Sequence, residues 1–178
     1  PVDRAGLGAR VKTLLHVDGV TVGRPLLDAL AQGLVDVPLL MQATEAEMNC
    51  YPHPDLLDLT EAGLKQFLRD KFAPVYGEAA AKELAVRYMH ESRGVPELAV
   101  YLIDGDTASF CGLRQLALTA GRVFKSPVYL ATVIAPPATH VFGGPKFAYH
   151  NWDLMAASET WRFYNYSPAE RDVIFGRR

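Results

Sequence analysis

The 178-residue sequence predicts an α/β fold with a mostly parallel sheet, and three observations lead there. Residues 37–44 and 127–135 are short, nearly unbroken apolar runs, the second rich in β-branched side chains, as expected of strands covered on both faces. The residues between them read as helix, so a long helical crossover joins the strands and they run parallel. Two strands are few for such a sheet, which commonly has about five, because its faces and edges need cover. The chain is therefore expected to be the later part of a larger domain.

Apolar residues make up 49% of the chain and the formal net charge is −2. That composition belongs to a globular chain and gives no basic surface for nucleic acid or for an anionic membrane. No apolar run has the length of a membrane span, and the mixed, polar first residues carry no signal-peptide pattern. Cys50 and Cys111 form no metal motif and no disulfide framework. They read as two small apolar residues, with a bridge to residues outside the chain as the alternative.

Residues 13–22 look extended and run through Asp18-Gly19, a turn signal. Residues 25–32 have helical spacing, with Leu26, Leu27 and Leu30 on one face and Gly33 as the stop. After the first strand, Pro52 and Pro54 break the chain. Thr60 starts a helix in which Leu64, Phe67, Leu68 and Phe72 recur, and Pro74 is expected to end it. Residues 77–91 form a helix rich in Ala, Glu and Lys, with Leu84, Val86 and Met89 available to the core. A short helix over 95–103 follows, then a longer one over 106–124 with Phe110, Leu113, Leu116 and Leu118 as core candidates. Beyond the second strand lie a Pro- and Gly-rich loop over 136–145, a segment carrying His150, and a helical stretch starting near Ser167 that reaches Arg178 without a stop signal.

Ligands and catalysis gather at the carboxyl ends of the strands of an open parallel sheet. Glu47 follows the first strand and His150 the second. An acid and then a histidine, each past a strand end, is the second half of a hydrolase triad in the order nucleophile, acid, base. A carboxylate bonded to one imidazole nitrogen fixes the tautomer, so that the other nitrogen can take a proton from a nucleophilic hydroxyl. Asp153, three residues after His150, could anchor the histidine loop through backbone amides or a nearby cation.

The segments around these residues resemble, in order, the C-terminal portion of a type B carboxylesterase, the family of bacterial p-nitrobenzyl esterases and cholinesterases. Val17-Asp-Gly19, followed by the stretch from Pro25 to Gly33, is similar to the family's approach to its acid strand. Asp36-Val-Pro-Leu-Leu-Met-Gln-Ala-Thr-Glu-Ala-Glu47 resembles the acid segment and sets Glu47 on the triad acid. Ser126-Pro-Val-Tyr-Leu-Ala resembles the last long strand. Tyr149-His-Asn-Trp-Asp-Leu154 resembles the histidine motif, with His150 on the base and Asp153 on its supporting acid. Ser167-Pro-Ala-Glu170 resembles the approach to the last family helix. The likeness spans nearly the whole chain.

The resemblance implies an α/β-hydrolase fold in which residues 1–178 are the C-terminal part of the domain. The N-terminal half with the nucleophilic serine and oxyanion hole, and the final helix, would lie outside. It implies a small-molecule ester as substrate of the intact protein, the remaining half of the domain as partner, and neither metal nor organic cofactor. The family's Asp-Glu-Gly is Ala46-Glu47-Met48 here, and because Met tolerates positive φ poorly the turn at the acid is expected to differ.

Blander readings stand beside these. Glu47 could be a solvated loop carboxylate and His150 a loop histidine with a structural bond. Trp152, Trp161, Phe163, Tyr164 and Tyr166 could line a substrate pocket or pack around the last helix. His16, His53, His90 and His140 lack paired metal spacing and read as surface or satisfied histidines. His90-Glu-Ser-Arg-Gly94 imitates a nucleophile elbow, but it lacks the first glycine, follows a helix, and comes after Glu47. Ser92 is accordingly expected in an exposed turn. The leading expectation is part of a serine ester hydrolase, inactive without its other half. The alternatives are a non-catalytic carboxylesterase-like module for binding or adhesion, and a truncated product with an exposed sheet edge.

Overall fold

The computed structural model describes residues 17–20, 23–33, 36–49, 54–138 and 147–177. In chain order the elements are α1 (Leu26–Ala31), β1 (Leu39–Thr44), α2 (Pro54–Leu57), α3 (Glu61–Tyr76), α4 (Glu78–Glu91) and α5 (Pro96–Gly105). A π-helical turn (Asp106–Phe110) leads into α6 (Cys111–Val123) and β2 (Val128–Val133). Then come α7 (Trp152–Ala157), a 3-10 turn (Trp161–Tyr164) and α8 (Glu170–Gly176). The chain is thus mixed α/β, with one two-stranded sheet among the described residues.

The two strands pair in parallel. The Leu39 amide donates to the Pro127 carbonyl at 3.0 Å, and the Glu45 amide donates to the Val133 carbonyl at 2.8 Å. The offset is the same at both places, so Leu40 stands beside Tyr129 and Thr44 beside Val133. The helices from α2 to α6 form the crossover that this pairing requires.

By its internal contacts the chain divides into two units, Pro1–Met41 with Arg114–Tyr129, and Gln42–Leu113 with Leu130–Arg178. In the first, the Asp36 carboxylate accepts a bond from the Ser126 amide at 2.9 Å where the two strands begin. That backbone bond holds the Asp36 carboxyl below its ordinary value of 3.8. The Asp18-Gly19 turn forms, with Gly19 at φ +77° and the Val20 amide bonded to the Asp18 carboxylate at 2.9 Å. The rest of the extended stretch expected over 13–22 lies mostly outside the described residues. Among the described residues the strands are not covered on both faces: Leu40 is 63% exposed and its neighbour Tyr129 58%. An apolar run records β-propensity and side-chain type but not whether a layer packs over it.

The second unit holds the cores. Thr60 caps α3 by accepting from the Gly63 amide at 3.1 Å. Leu64 and Leu68, one turn apart, are fully buried against Ala85 and Tyr88 of α4 and Ala99 and Ile103 of α5. Pro74 does not end α3, contrary to the sequence expectation. It falls in the last turn, where a missing amide costs little, and the helix continues to Tyr76. The stop is Gly77, at φ +86°, whose amide still bonds the Ala73 carbonyl at 2.8 Å. In α4, Leu84 and Met89 pack against the core, but Val86 is exposed and Ala81, Ala85 and Tyr88 form the buried stripe.

The helices expected over 95–103 and 106–124 are one helical run from Pro96 to Val123, with the π turn between. Its core candidates are displaced too. Phe110, Leu113 and Leu116 are half-buried, Leu118 is exposed, and Ala120 is the buried residue of α6. A π turn inserts about one residue into the α repeat and so rotates the apolar stripe around the axis. A further core surrounds Trp152, which meets Trp161, Tyr166 and Phe175 and donates from its indole to the Ala135 carbonyl at 2.8 Å. The stretch expected from Ser167 becomes helical at Glu170 and ends at Gly176, where α8 meets the Ala156 carbonyl at the end of α7. No helix of the described residues is long and apolar enough to cross a membrane.

Candidate active site

Where the β1–β2 ladder stops, the two chains meet once more. Ala46 and Tyr149 form an isolated parallel bridge, with the Ala46 amide donating to the Ala148 carbonyl at 2.9 Å. Ala46 is fully buried against Leu98 and Tyr101 of α5, and Ala148 and Tyr149 are buried in the Trp152 core. Glu47 and His150 are the residues that follow each bridge partner. Paired residues of a ladder point to the same side, and so do their successors. The local fold thus brings together an acid and a histidine 103 residues apart.

The contact is direct: Glu47 Oε1 lies 2.5 Å from His150 Nδ1. The second carboxylate oxygen, Oε2, accepts from the Thr44 hydroxyl at 2.7 Å and from the Thr44 amide at 2.9 Å. Burial pushes the Glu47 carboxyl up, but the Thr44 donors and His150 outweigh it and leave the group below its ordinary value of 4.5. Glu47 is therefore an ionised acceptor suited to holding the Nδ1–H tautomer of His150. The His150 side chain is 40% exposed, and among the described residues its Nε2 has no hydrogen-bond partner. The arrangement can accept a proton at Nε2 while Glu47 steadies the charge at Nδ1.

Backbone geometry sets the histidine. Asn151 adopts a left-handed conformation (φ +66°), which Asn tolerates better than most residues, and turns the chain straight into α7. Trp152 then locks that turn in the core. At the acid, Met48 is not among the non-glycine residues with positive φ, so the turn at Glu47 needs no glycine.

Asp153 is buried in the first turn of α7 and accepts from the Gln42 side chain at 2.6 Å. Among the described residues it is neither paired with a cation nor bonded to a backbone amide, the two anchors expected for it. Its bond instead ties the helix behind His150 to β1.

Ser92 is fully buried rather than in an exposed turn, and its hydroxyl is satisfied there by donating to the Met89 carbonyl at 3.1 Å within the helix-ending turn. The next residue, Arg93, takes a left-handed conformation and reaches the Glu45 carboxylate at 2.7 Å. The stretch that imitates a nucleophile elbow therefore braces the acid loop. Cys111 is an exposed free thiol, against its expectation as a small apolar residue with the burial habits of cysteine. Cys50 lies outside the described residues, as do His16, His53 and His140, and His90 is exposed. Trp152, Trp161 and Tyr166 are core residues, while Phe163 is exposed; the side chain of Tyr164 is outside the described set.

A cavity of about 190 Å³ borders Glu47, with Thr44, Leu102, Phe110 and Ile134 in its walls. A larger groove of about 620 Å³ between α3 and α4 contains neither Glu47 nor His150 and has no part in their chemistry. Among the described residues, no group of three or more His, Cys, Asp or Glu is placed to hold a metal. Sequence reasoning missed Thr44, Gln42 and Arg93. The first two carry one faint signal, being the polar residues of an otherwise apolar strand. No protein-family model matches the chain, and no curated protein matches it.

Proposed function

We propose that this chain is part of a serine carboxylic-ester hydrolase of the type B carboxylesterase kind, with an α/β-hydrolase fold, and supplies the acid and histidine of a Ser-Glu-His triad. The observation that supports this reading is the bond between Glu47 Oε1 and His150 Nδ1 at the carboxyl ends of two parallel strands, with Nε2 unpartnered among the described residues. The 178 residues contain no Gly-x-Ser-x-Gly, so the serine and the oxyanion hole come from a segment outside them.

In the complete site the serine Oγ attacks the ester carbonyl as His150 Nε2 takes its proton. Glu47 stabilises the imidazolium through Nδ1. The proton passes from Nε2 to the leaving alkoxide, the acyl-enzyme forms, and His150 then activates water for its hydrolysis. Asp153 acts at a distance, by fixing α7.

The test needs the polypeptide that also carries the elbow. There, His150→Ala is expected to lower kcat on p-nitrophenyl esters by at least about a thousandfold with the circular dichroism spectrum retained. Equal turnover by variant and wild type overturns the proposal. An elbow without serine would instead assign the chain to a binding or adhesion relative.

A further inference from the structure

We propose that one face of β1 aligns the Glu47–His150 pair, with Thr44 fixing the carboxylate and Gln42 fixing the helix that follows the histidine. Both are positioning residues. The inference rests on reading Glu47 and His150 as the working acid and base.

Residues 37–44 are apolar except at Gln42 and Thr44. These two alternate along the strand and so share one face. Each spends its polar group on the pair or its support. Thr44 gives two donors to Glu47 Oε2, at 2.7 and 2.9 Å. With Oε2 held twice, the carboxylate plane cannot turn freely, and Oε1 is presented to Nδ1. Gln42 donates to Asp153 Oδ2 at 2.6 Å. Asp153 is buried in the first turn of α7, three residues beyond His150, so this bond sets the height of α7 along β1. Neither polar group is required for packing: the Gln42 side chain is exposed, and Thr44 could be replaced by an isosteric Val. A one-residue slip of β1 against β2 would carry the Gln42 side chain to the opposite face and lose its bond to Asp153, whereas the Thr44 bonds to Glu47, three residues along the same segment, move with the strand.

The readout is the His150 Nδ1 proton in the 178-residue chain, observed by NMR as a downfield imidazole resonance. In the wild type this resonance is expected, and it is assigned by its loss in Glu47→Gln. Thr44→Val removes the hydroxyl donor at constant volume. The proton is then expected to move upfield and to exchange with solvent about tenfold faster, as fits the loss of one hydrogen bond of ordinary net strength. Thr44→Ser restores it. Gln42→Leu gives the same upfield movement, whereas Gln42→Asn, one methylene shorter, restores it only in part. If Thr44→Val does not fold, Thr44→Cys, a poor donor of similar size, reads the same quantity. An unchanged resonance and exchange rate in folded Thr44→Val or Thr44→Cys overturns the proposal, and so does loss of the resonance in Thr44→Ser. Esterase activity does not enter this measurement, so failure of the hydrolase reading would appear in the turnover assay and leave the alignment result standing.

Discussion

At the scale of single residues the decisive group is Glu47. Its carboxyl is held below its ordinary value of 4.5: burial raises it, and the Thr44 donors and His150 lower it further. A group whose pKa is lower folded than unfolded binds fewer protons in the native state. Its contribution to stability is therefore full above the ordinary value and is lost as pH falls through the depressed one. The stability difference between wild type and Glu47→Gln in urea should be full well above the ordinary carboxyl value and shrink steadily as pH is lowered below it. A constant difference across that range would contradict the assignment. Turnover offers a second check: the isolated chain should hydrolyse p-nitrophenyl acetate no faster than free imidazole, with Ser92→Ala unchanged, because the Ser92 hydroxyl is buried and bonded to Met89. Glu47 and His150 could be read from the sequence because each follows an apolar run. Thr44 and Gln42 could not be given roles, since their partners depend on pairing register and on the turn at Asn151.

At the scale of elements the helices are set by ends as much as by faces. Thr60→Ala removes the cap of α3 and should cost about 1 kcal/mol, measured by urea denaturation. Gly176 is a different case. A Cβ built there would lie 2.1 Å from the Ala156 carbonyl oxygen, so α7 and α8 approach more closely than any side chain allows. Gly176→Ala should destabilise by about 1–3 kcal/mol, and more if the helices cannot separate. An unchanged midpoint would mean that α8 does not seat on α7 in solution. Apolar periodicity located α3, because its Leu64 and Leu68 stripe faces one core; α4 was legible from its Ala, Glu and Lys content, and α5, which is buried against two cores, shows no single stripe. Periodicity failed past Gly105, where the π turn rotates the stripe, a backbone event that leaves no mark in residue types. It also gave Pro74 too much weight, since the cost of a proline depends on its place in the helix and falls in the last turn.

For the molecule as a whole, the short sheet matters most. Each strand has one neighbour among the described residues, and Leu40 and Tyr129 stand exposed beside each other. Unpaired strand edges and bare apolar faces favour association. Light scattering should show concentration-dependent growth of the isolated chain, reduced by Leu40→Lys; a monodisperse wild type up to high concentration would refute this. The sequence revealed the strands and their parallel order but not their exposure, because residue type reports what a strand could bury rather than what covers it. The contact between Glu47 and His150 also bears on time. It closes a loop of 103 residues and depends on a single bridge at Ala46 and Tyr149 beyond the end of the ladder. Closure of so long a loop comes at an entropic cost that only the finished crossover and the Trp152 core can offset. During refolding the helices should therefore gain their circular dichroism first and the Nδ1 proton should acquire protection last, so that the contact between Glu47 and His150 is the final one the chain makes.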